Sequence, residues 1–347
     1  MGINKTGKII AGGASLLMLL LSGSCSMVTD DPVACPARLS VRFVYDYNIK
    51  FADAFQHEVK SVNVWAFGSD GSLAWSGSAS GDALAESDFK IDTPLDEGSY
   101  EFVAWCGLEG NEDFELATYT PASREELEIT LRTLPGDVSR SHLAGLYHGY
   151  TGVVDYEVDP YRPSFKTVSI PLMKDTKDIR VMLQHLDGSE IDNRDFTCTI
   201  TTADAGLGWD NALLPSPMVT YSPWEVRYGV TTAPGTTERP AEADGSRTIT
   251  TVASLLFDMS TSRLSTSRPA TLTIHRNWDD RDIIRINLID YLLLVKGHYG
   301  EMGDQEYLDR QDDYSIVFFI DKNSNWNMAG GIFINNWAVV PPQENPL

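Results

Sequence analysis

Leu39, Val41, Phe43, Tyr45 and Tyr47 alternate with Ser40, Arg42, Asp46 and Asn48, and this period of two along 39–47 predicts a half-buried strand. Phe51, Ala52, Phe55 and Val59 follow at helical spacing, which predicts a short helix or turn crossing the end of a sheet. Val62, Val64 and Ala66 resume a strand, and Ser69-Asp70-Gly71 turns it back as a hairpin. After the turn at Pro94–Gly98, Tyr100, Phe102, Ala104 and Cys106 share one face. Further strands are predicted at Leu127/Ile129/Leu131, Val154/Tyr156/Val158 and Val168/Ile170/Leu172. A charged break at 173–177 marks a boundary, and Ile179/Val181/Leu183 and Phe196/Cys198/Ile200 begin a second series. Residues 203–246, rich in Gly, Pro, Ser and Thr, read as long loops. Leu255-Leu256-Phe257 and Leu272/Ile274 restore strands, Asn287–Leu294 suits helical turns, and Tyr314–Ile320 and Gly331–Val340 end the chain as strands. Short alternating strands punctuated by Gly, Pro and Asp predict an all-β chain of two tandem antiparallel β-sandwich domains with a few short helices, at 38–174 and 175–341, with a tail at 342–347.

The N-terminus follows a different pattern. Lys5 and Lys8 precede an apolar run from Ile9 to Leu21 that is too short to span a bilayer, and the small residues Ser22, Gly23 and Ser24 lead into Cys25. This order is that of a secretory signal, residues 1–24, and its ending resembles a bacterial lipobox in which the Cys25 thiol takes a thioether-linked diacylglycerol. Ser22 departs from the leucine commoner there. Residues 25–37, with Asp30, Asp31, Pro32 and Pro36, form a polar tether. Its two acids are similar to the export signal that sends lipoproteins of Bacteroidetes to the outer face of the outer membrane.

The 347 residues leave ample chain for two packed cores beyond the leader, and 42% hydrophobic content excludes a disordered stalk. The formal charge of −22, more acidic still without Lys5 and Lys8, argues against nucleic acid or anionic head groups as partners of the body. With Cys25 lipidated, three cysteines remain in an oxidising compartment. Cys35 and Cys106 belong to the same half and either pair or stay as thiols, while Cys198 is a buried thiol; no spacing makes a zinc site.

No catalytic constellation emerges: the six histidines are scattered, and neither a G-x-S-x-G elbow nor a P-loop occurs past the leader, so an enzyme and a cofactor are not expected. Asp321-Lys322-Asn323-Ser324-Asn325 opens like a calcium loop, but Trp326 stands where glycine is needed and Ile332 where the bidentate glutamate belongs, so it reads as a polar turn. The preceding acids Asp304, Glu306, Asp309, Asp312 and Asp313 read as a solvated loop. Of the eight tryptophans, Trp105 and Trp337 lie in strand patterns, whereas Trp209 and Trp224 lie in loops and are the candidates for a glycan-binding platform.

The runs Arg42–Asn48 with Phe51–Phe55, Val62–Phe67, Tyr100–Trp105, Leu288–Leu294 and Tyr314–Asp321, together with the lipobox, resemble the fimbrillin-A-associated anchor proteins, the FimB-type minor subunits of Bacteroidales type V fimbriae. The likeness runs from about residue 35 to 340, and Y-D-Y-N…F-A-D-A-F is its specific part. It implies two transthyretin-like sandwiches and a lipid-tethered outer-membrane protein, facing the cell surface, that holds a fimbria and limits its length through contact with a shaft subunit. Among residues it carries over only Cys25. The alternatives are a surface glycan-binding lipoprotein and an accessory or tip subunit. The terminal strand, with Ile332, Ile334, Trp337 and Val339 on it, can pair with a partner strand or serve as an internal edge.

Overall fold

The computed structural model describes residues 35–232 and 251–339. Up to residue 174 the strands are β1 (Ala37–Val44), β2 (Ser61–Gly68), β3 (Leu73–Ser80), β4 (Ile91–Thr93), β5 (Gly98–Cys106), β6 (Phe114–Leu116), β7 (Ile129–Leu131), β8 (Val138–Ser139), β9 (Tyr147–Tyr156) and β10 (Ser164–Lys174), with α1 (Phe55–Glu58) as one helical turn after β1. Beyond it come β11 (Lys177–His185), β12 (Phe196–Thr202), β13 (Gly206–Leu207), β14 (Val219–Tyr221), β15 (Glu225–Thr232), β16 (Thr251–Thr261), β17 (Thr271–Arg276) and β18 (Arg281–Asn287). The helices α2 (Leu288–Leu292) and α3 (Asp304–Arg310) precede β19 (Asp313–Ile320), β20 (Ile332–Ile334) and β21 (Trp337–Val339). With 47% strand against 13% helix, the chain is mostly β, as the alternation indicates.

The seven-stranded sheet β3-β2-β5-β9-β10-β1-β4 closes over its own core because β10 serves two partners. Its first residues run parallel to β1, and Leu172–Lys174 pair antiparallel with β9. At that corner the strands come so close that a Cβ on Gly149 would lie 2.6 Å from Ile170 Cγ2, so only glycine fits. The enclosed core gathers Leu39, Val41 and Phe43 of β1, Val62, Val64 and Ala66 of β2, and Phe102, Ala104 and Cys106 of β5. These are the inward positions the alternation marks.

The opposite face of β2 and β5 is also buried. Trp65, Phe67, Val103 and Trp105 join the second core, which also takes Ile179, Val181 and Leu183 of β11, Phe257 of β16, Phe318 of β19, Cys198 and Ile200 of β12, and Ile274 of β17. These come from a six-stranded sheet, β15-β16-β11-β19-β20-β21, and a five-stranded one, β18-β17-β12-β14-β8. The two stretches are therefore interlocked. β8 pairs with β14, and β13 completes the small sheet β13-β7-β6 that covers the tryptophan face of the first.

Several local expectations change. The loops expected over 203–246 contain β13, β14 and the eight-residue β15, while 233–246 lies outside the described residues. In β15 Val226, Tyr228 and Val230 do alternate with Glu225, Arg227 and Gly229, but the strand lies at a sheet edge with Val226 40% and Tyr228 59% exposed. The single terminal strand is a hairpin: Asn335 and Asn336 have φ of 49° and 69°, the left-handed pair that a tight two-residue turn requires. The acidic stretch before β19 is α3, not a solvated loop.

Candidate functional site

The densest polar assembly lies where the chain leaves β1. Two side chains fold the Y-D-Y-N…F-A-D-A-F segment. Asn48 Nδ2 donates to Tyr45 O (2.9 Å) and Ala52 O (2.7 Å), and its Oδ1 accepts from Lys50 N (3.0 Å). Asp53 Oδ1 accepts from the backbone N–H of Tyr45 and of Phe55, both at 3.0 Å. Such asparagine and aspartate contacts satisfy backbone groups that a tight loop would leave orphaned. They also hold Phe51 at φ 52°, a strained value for a bulky residue.

This loop aims Tyr45 across the molecule. Its ring packs edge-on against Tyr147 at 5.2 Å, and its hydroxyl donates to Asp312 Oδ2. Burial, and the charge of Asp312, raise the Tyr45 pKa far above the ordinary phenol value, so it stays a neutral donor. Asp312 Oδ1 accepts from Lys177 Nζ at 2.9 Å, and the same ammonium donates to Asp309 O at 2.8 Å. Lys177 has no exposed surface. Arg263 grips the Asp309 carboxylate with two bonds of 3.0 Å, the fork geometry that matches guanidinium to carboxylate. On the rim, Arg310 lies over the rings of Tyr47 (3.9 Å) and Phe51 (4.8 Å), and its carbonyl accepts from Ile49 N at 2.8 Å. Asp175, in the two-residue link between β10 and β11, accepts from Asn211 Nδ2 at 2.8 Å, and burial raises its pKa to about 7. Each buried cation here has its anion. The arrangement is a joint that fixes β1, β11 and α3 to one another, and it offers no side chain poised for reaction.

The other sequence-predicted positions fall as follows. Cys25 lies outside the described residues. Cys35, Cys106 and Cys198 are all free thiols, and Cys106 and Cys198 are buried. Of the two states open to Cys35 and Cys106, the structure shows the free thiols, and a bridge is ruled out for a topological reason. Cys35 enters at the start of β1, whereas Cys106 pairs with Tyr147, which faces Lys174 at the far end of β10. Three strand spacings at about 4.8 Å each, plus most of a strand's length, separate them, against the roughly 5.5 Å between Cα atoms that a disulfide needs.

The calcium-like string is the β19–β20 turn. Asp321 Oδ1 accepts from Asn323 N (2.8 Å) and Asn325 N (3.0 Å), backbone bonds that hold its carboxyl below the usual range. Of the oxygens such a loop would turn to a cation, Asn325 Oδ1 already accepts from Arg276 Nη1 at 3.2 Å, and the same nitrogen donates to the carbonyls of Asn323 (2.9 Å) and Ser324 (3.0 Å). Among the described residues no cluster of His, Cys, Asp and Glu is arranged to hold a metal ion.

Trp209 and Trp224, the candidates for a glycan platform, are half-buried with rings already engaged. Arg124 sits 4.1 Å over Trp209, and Trp224 stacks on His142 at 4.5 Å. Trp105 is fully buried, but Trp337 is not a core residue: it is 45% exposed and stacks on His298 at 3.7 Å. In the terminal hairpin Ile332 and Ile334 lie on β20, which is paired on both sides, and face the second core, while Trp337 and Val339 lie on β21 at the edge of the six-stranded sheet. The sequence missed the joint itself: Lys177 reads as part of a charged break and Arg263 carries no motif. Its signal is the concentration of tyrosine and asparagine directly after the first strand.

The family model described as fimbrillin-A associated anchor proteins Mfa1 and Mfa2 matches residues 31–340. No curated protein matches the chain. Among solved structures, a candidate adhesin from Bacteroides thetaiotaomicron is 29% identical, with 90% of this chain and 100% of that one covered at a TM-score of 0.76. A candidate polysaccharide-binding protein from the same organism is 28% identical, covering 89% of this chain and 100% of that one at 0.73. The fimbrial anchor protein Mfa2 of Porphyromonas gingivalis shares the fold at 16% identity, with 89% and 100% coverage and a TM-score of 0.63.

Proposed function

The chain belongs to the fimbrillin-A associated anchor family, and from that premise we propose that it is a lipid-tethered minor subunit that attaches a type V fimbria to the outer membrane and limits its length. The family is one of fimbrial anchors, which implies a non-catalytic protein working at the cell surface beside a fimbrial partner. The observation that carries the reading is the extent of the match, residues 31–340, which takes in both cores and the joint between them. In this reading the domains are transthyretin-like sandwiches at 38–174 and 175–341, and Cys25 bears the lipid. Among the described residues no helix is long and apolar enough to cross a membrane.

The physics suits an anchor. One acyl chain holds a protein only marginally, whereas two or three make release slow. A pull on the tether enters at the start of β1, which is bonded to β10 on one side and β4 on the other, so the load shears a whole register of hydrogen bonds at once. The Tyr45–Asp312–Lys177 joint then passes it to β11 and the second core. Contact with the first shaft subunit is a strand addition at a free edge, for which β21 is three residues long and β15 eight.

The test is Cys25→Ala. An anchor loses palmitate-analogue labelling and sheds itself, with attached fimbriae, into the medium, and the lipidated parent co-purifies with a shaft protein. Unlabelled parent protein, or fimbriae that stay cell-bound in the variant, would refute the reading. A glycan-binding role has one observation in its favour, the description of the 28% identical relative, and Trp278, 54% exposed beside Arg276, is the ring to mutate in a glycan-array test.

A further inference from the structure

The body of this acidic chain carries a basic, partly aromatic surface close to where the tether enters. β1 and β10 run parallel, with Arg38 opposite Phe165, Ser40 opposite Thr167 and Arg42 opposite Ser169. Leu39, Val41 and Phe43 turn into the core, so these residues form the outer face. Arg38, Arg42 and Lys90 are all exposed on it, and Phe165 is 65% exposed beside Arg38; Lys166, opposite Leu39, lies at the margin with its Nζ donating to Asp155 O. A shallow recess of about 340 Å³ is lined by Arg38, Ser40, Lys90, Phe165, Lys166 and Thr167, with no carboxylate among them. On the same face Asp92 pairs with Arg38 at 3.4 Å and accepts from Ser40 Oγ at 2.6 Å. The basic surface ends beyond Arg42, where Asp53, Glu86 and Asp88 line a second recess. The turns at the end of the sheet where the tether arrives carry Asp70, Asp96, Glu97, Glu157 and Asp159 instead.

We infer that the outer face of β1 and β10 rests on the phosphate-bearing head groups of the bilayer that holds the lipid, so that the body lies on its side rather than standing on its acidic turns. Three arguments select this occupant. Charge complementarity distinguishes the face from the rest of a chain with a formal charge of −22. The tether from Cys25 to Cys35 reaches at most roughly 35 Å when extended, which keeps the face within contact of the membrane. An exposed phenylalanine framed by lysine and arginine is the composition of a surface that sits at the head-group level. The orientation rests on the lipid-tether reading, whereas the affinity for anionic lipid does not.

The test uses the full chain carrying Cys25→Ser, which removes the lipid, on vesicles of phosphatidylcholine alone and of phosphatidylcholine with phosphatidylglycerol. Binding that depends on phosphatidylglycerol and weakens with salt is expected. The triple change Arg38→Glu, Arg42→Glu, Lys90→Glu lowers it at least on the order of a hundredfold, since each basic group near an anionic surface contributes about fivefold. Reversing Arg281 and Arg285, which lie on β18, leaves it unchanged. Arg42→Gln with Lys90→Gln gives a smaller drop of the same sign, with the melting profile of each variant checking the fold. Equal binding by parent and patch variants, or an equal loss in the β18 control, overturns the inference. Failure of palmitate labelling in the parent would strike the tether reading alone and leave the vesicle result standing.

Discussion

Replacing Asp312 by alanine should be the most costly single change at the joint. The carboxylate accepts from Lys177 Nζ at 2.9 Å and from the Tyr45 hydroxyl; its side chain is 14% exposed and that of Lys177 not at all. Its removal leaves a buried ammonium without its counter-ion, a loss of about 3–5 kcal/mol. It also leaves the Tyr45 hydroxyl without an acceptor, about 1–3 kcal/mol when taken alone. The two losses share one environment and do not add fully, so about 4 kcal/mol is expected, close to a thousandfold in the folding equilibrium. The measurement is the midpoint of the first urea transition, followed by tryptophan fluorescence. Tyr45→Phe, which leaves the ion pair in place, should cost only about 1–2 kcal/mol. Lys177→Met combined with Asp312→Leu should recover at least half of the loss, because no unpaired charge then remains buried. A cost for Asp312→Ala below about 1 kcal/mol, the range of an exposed ion pair, would refute the claim that this joint ties the two cores together.

Three further outcomes are expected. Burial raises Asp204 from 3.8 to about 7, so between those values the folded chain holds a proton that the unfolded chain has released. That stability is full below the unfolded value and fades as pH climbs to about 7, so Asp204→Asn should flatten the dependence of the urea midpoint on pH across this window. At the terminal turn Asn336, with φ 69°, should accept glycine with little change, whereas Asn336→Val should lower stability by about 1–2 kcal/mol in thermal melts. Alkylation of the denatured, unreduced chain followed by peptide mapping should find Cys106 alkylated and no Cys35–Cys106 cross-link; such a cross-link would contradict the strand order.

Much of this molecule was legible from residue order alone. Alternation is a local property, so β1, β2, β5, β11 and β12 and their inward faces could be read off, as could the helical turns at 288–294 and the hairpin at Ser69-Asp70-Gly71. The family signature was visible too, and the structure supplies its physical content: Asn48 and Asp53 tie the loop that presents Tyr45. β15 is hidden because its short Val226-Tyr228-Val230 alternation sits inside a stretch whose Gly, Pro, Ser and Thr content reads as loop, and the last hairpin because its Asn335-Asn336 turn interrupts an otherwise apolar run.

What the sequence determined by itself is whatever neighbouring residues decide between them: strand or turn, inward or outward. Tertiary structure alone decided which strands meet and which charges are buried. Tyr45 and Asp312 stand 267 residues apart, and Lys177 and Asp312 stand 135 apart. No local pattern distinguishes a lysine that will be sealed against a carboxylate from one that will face water, because that depends on which surfaces the closed sheets bring together.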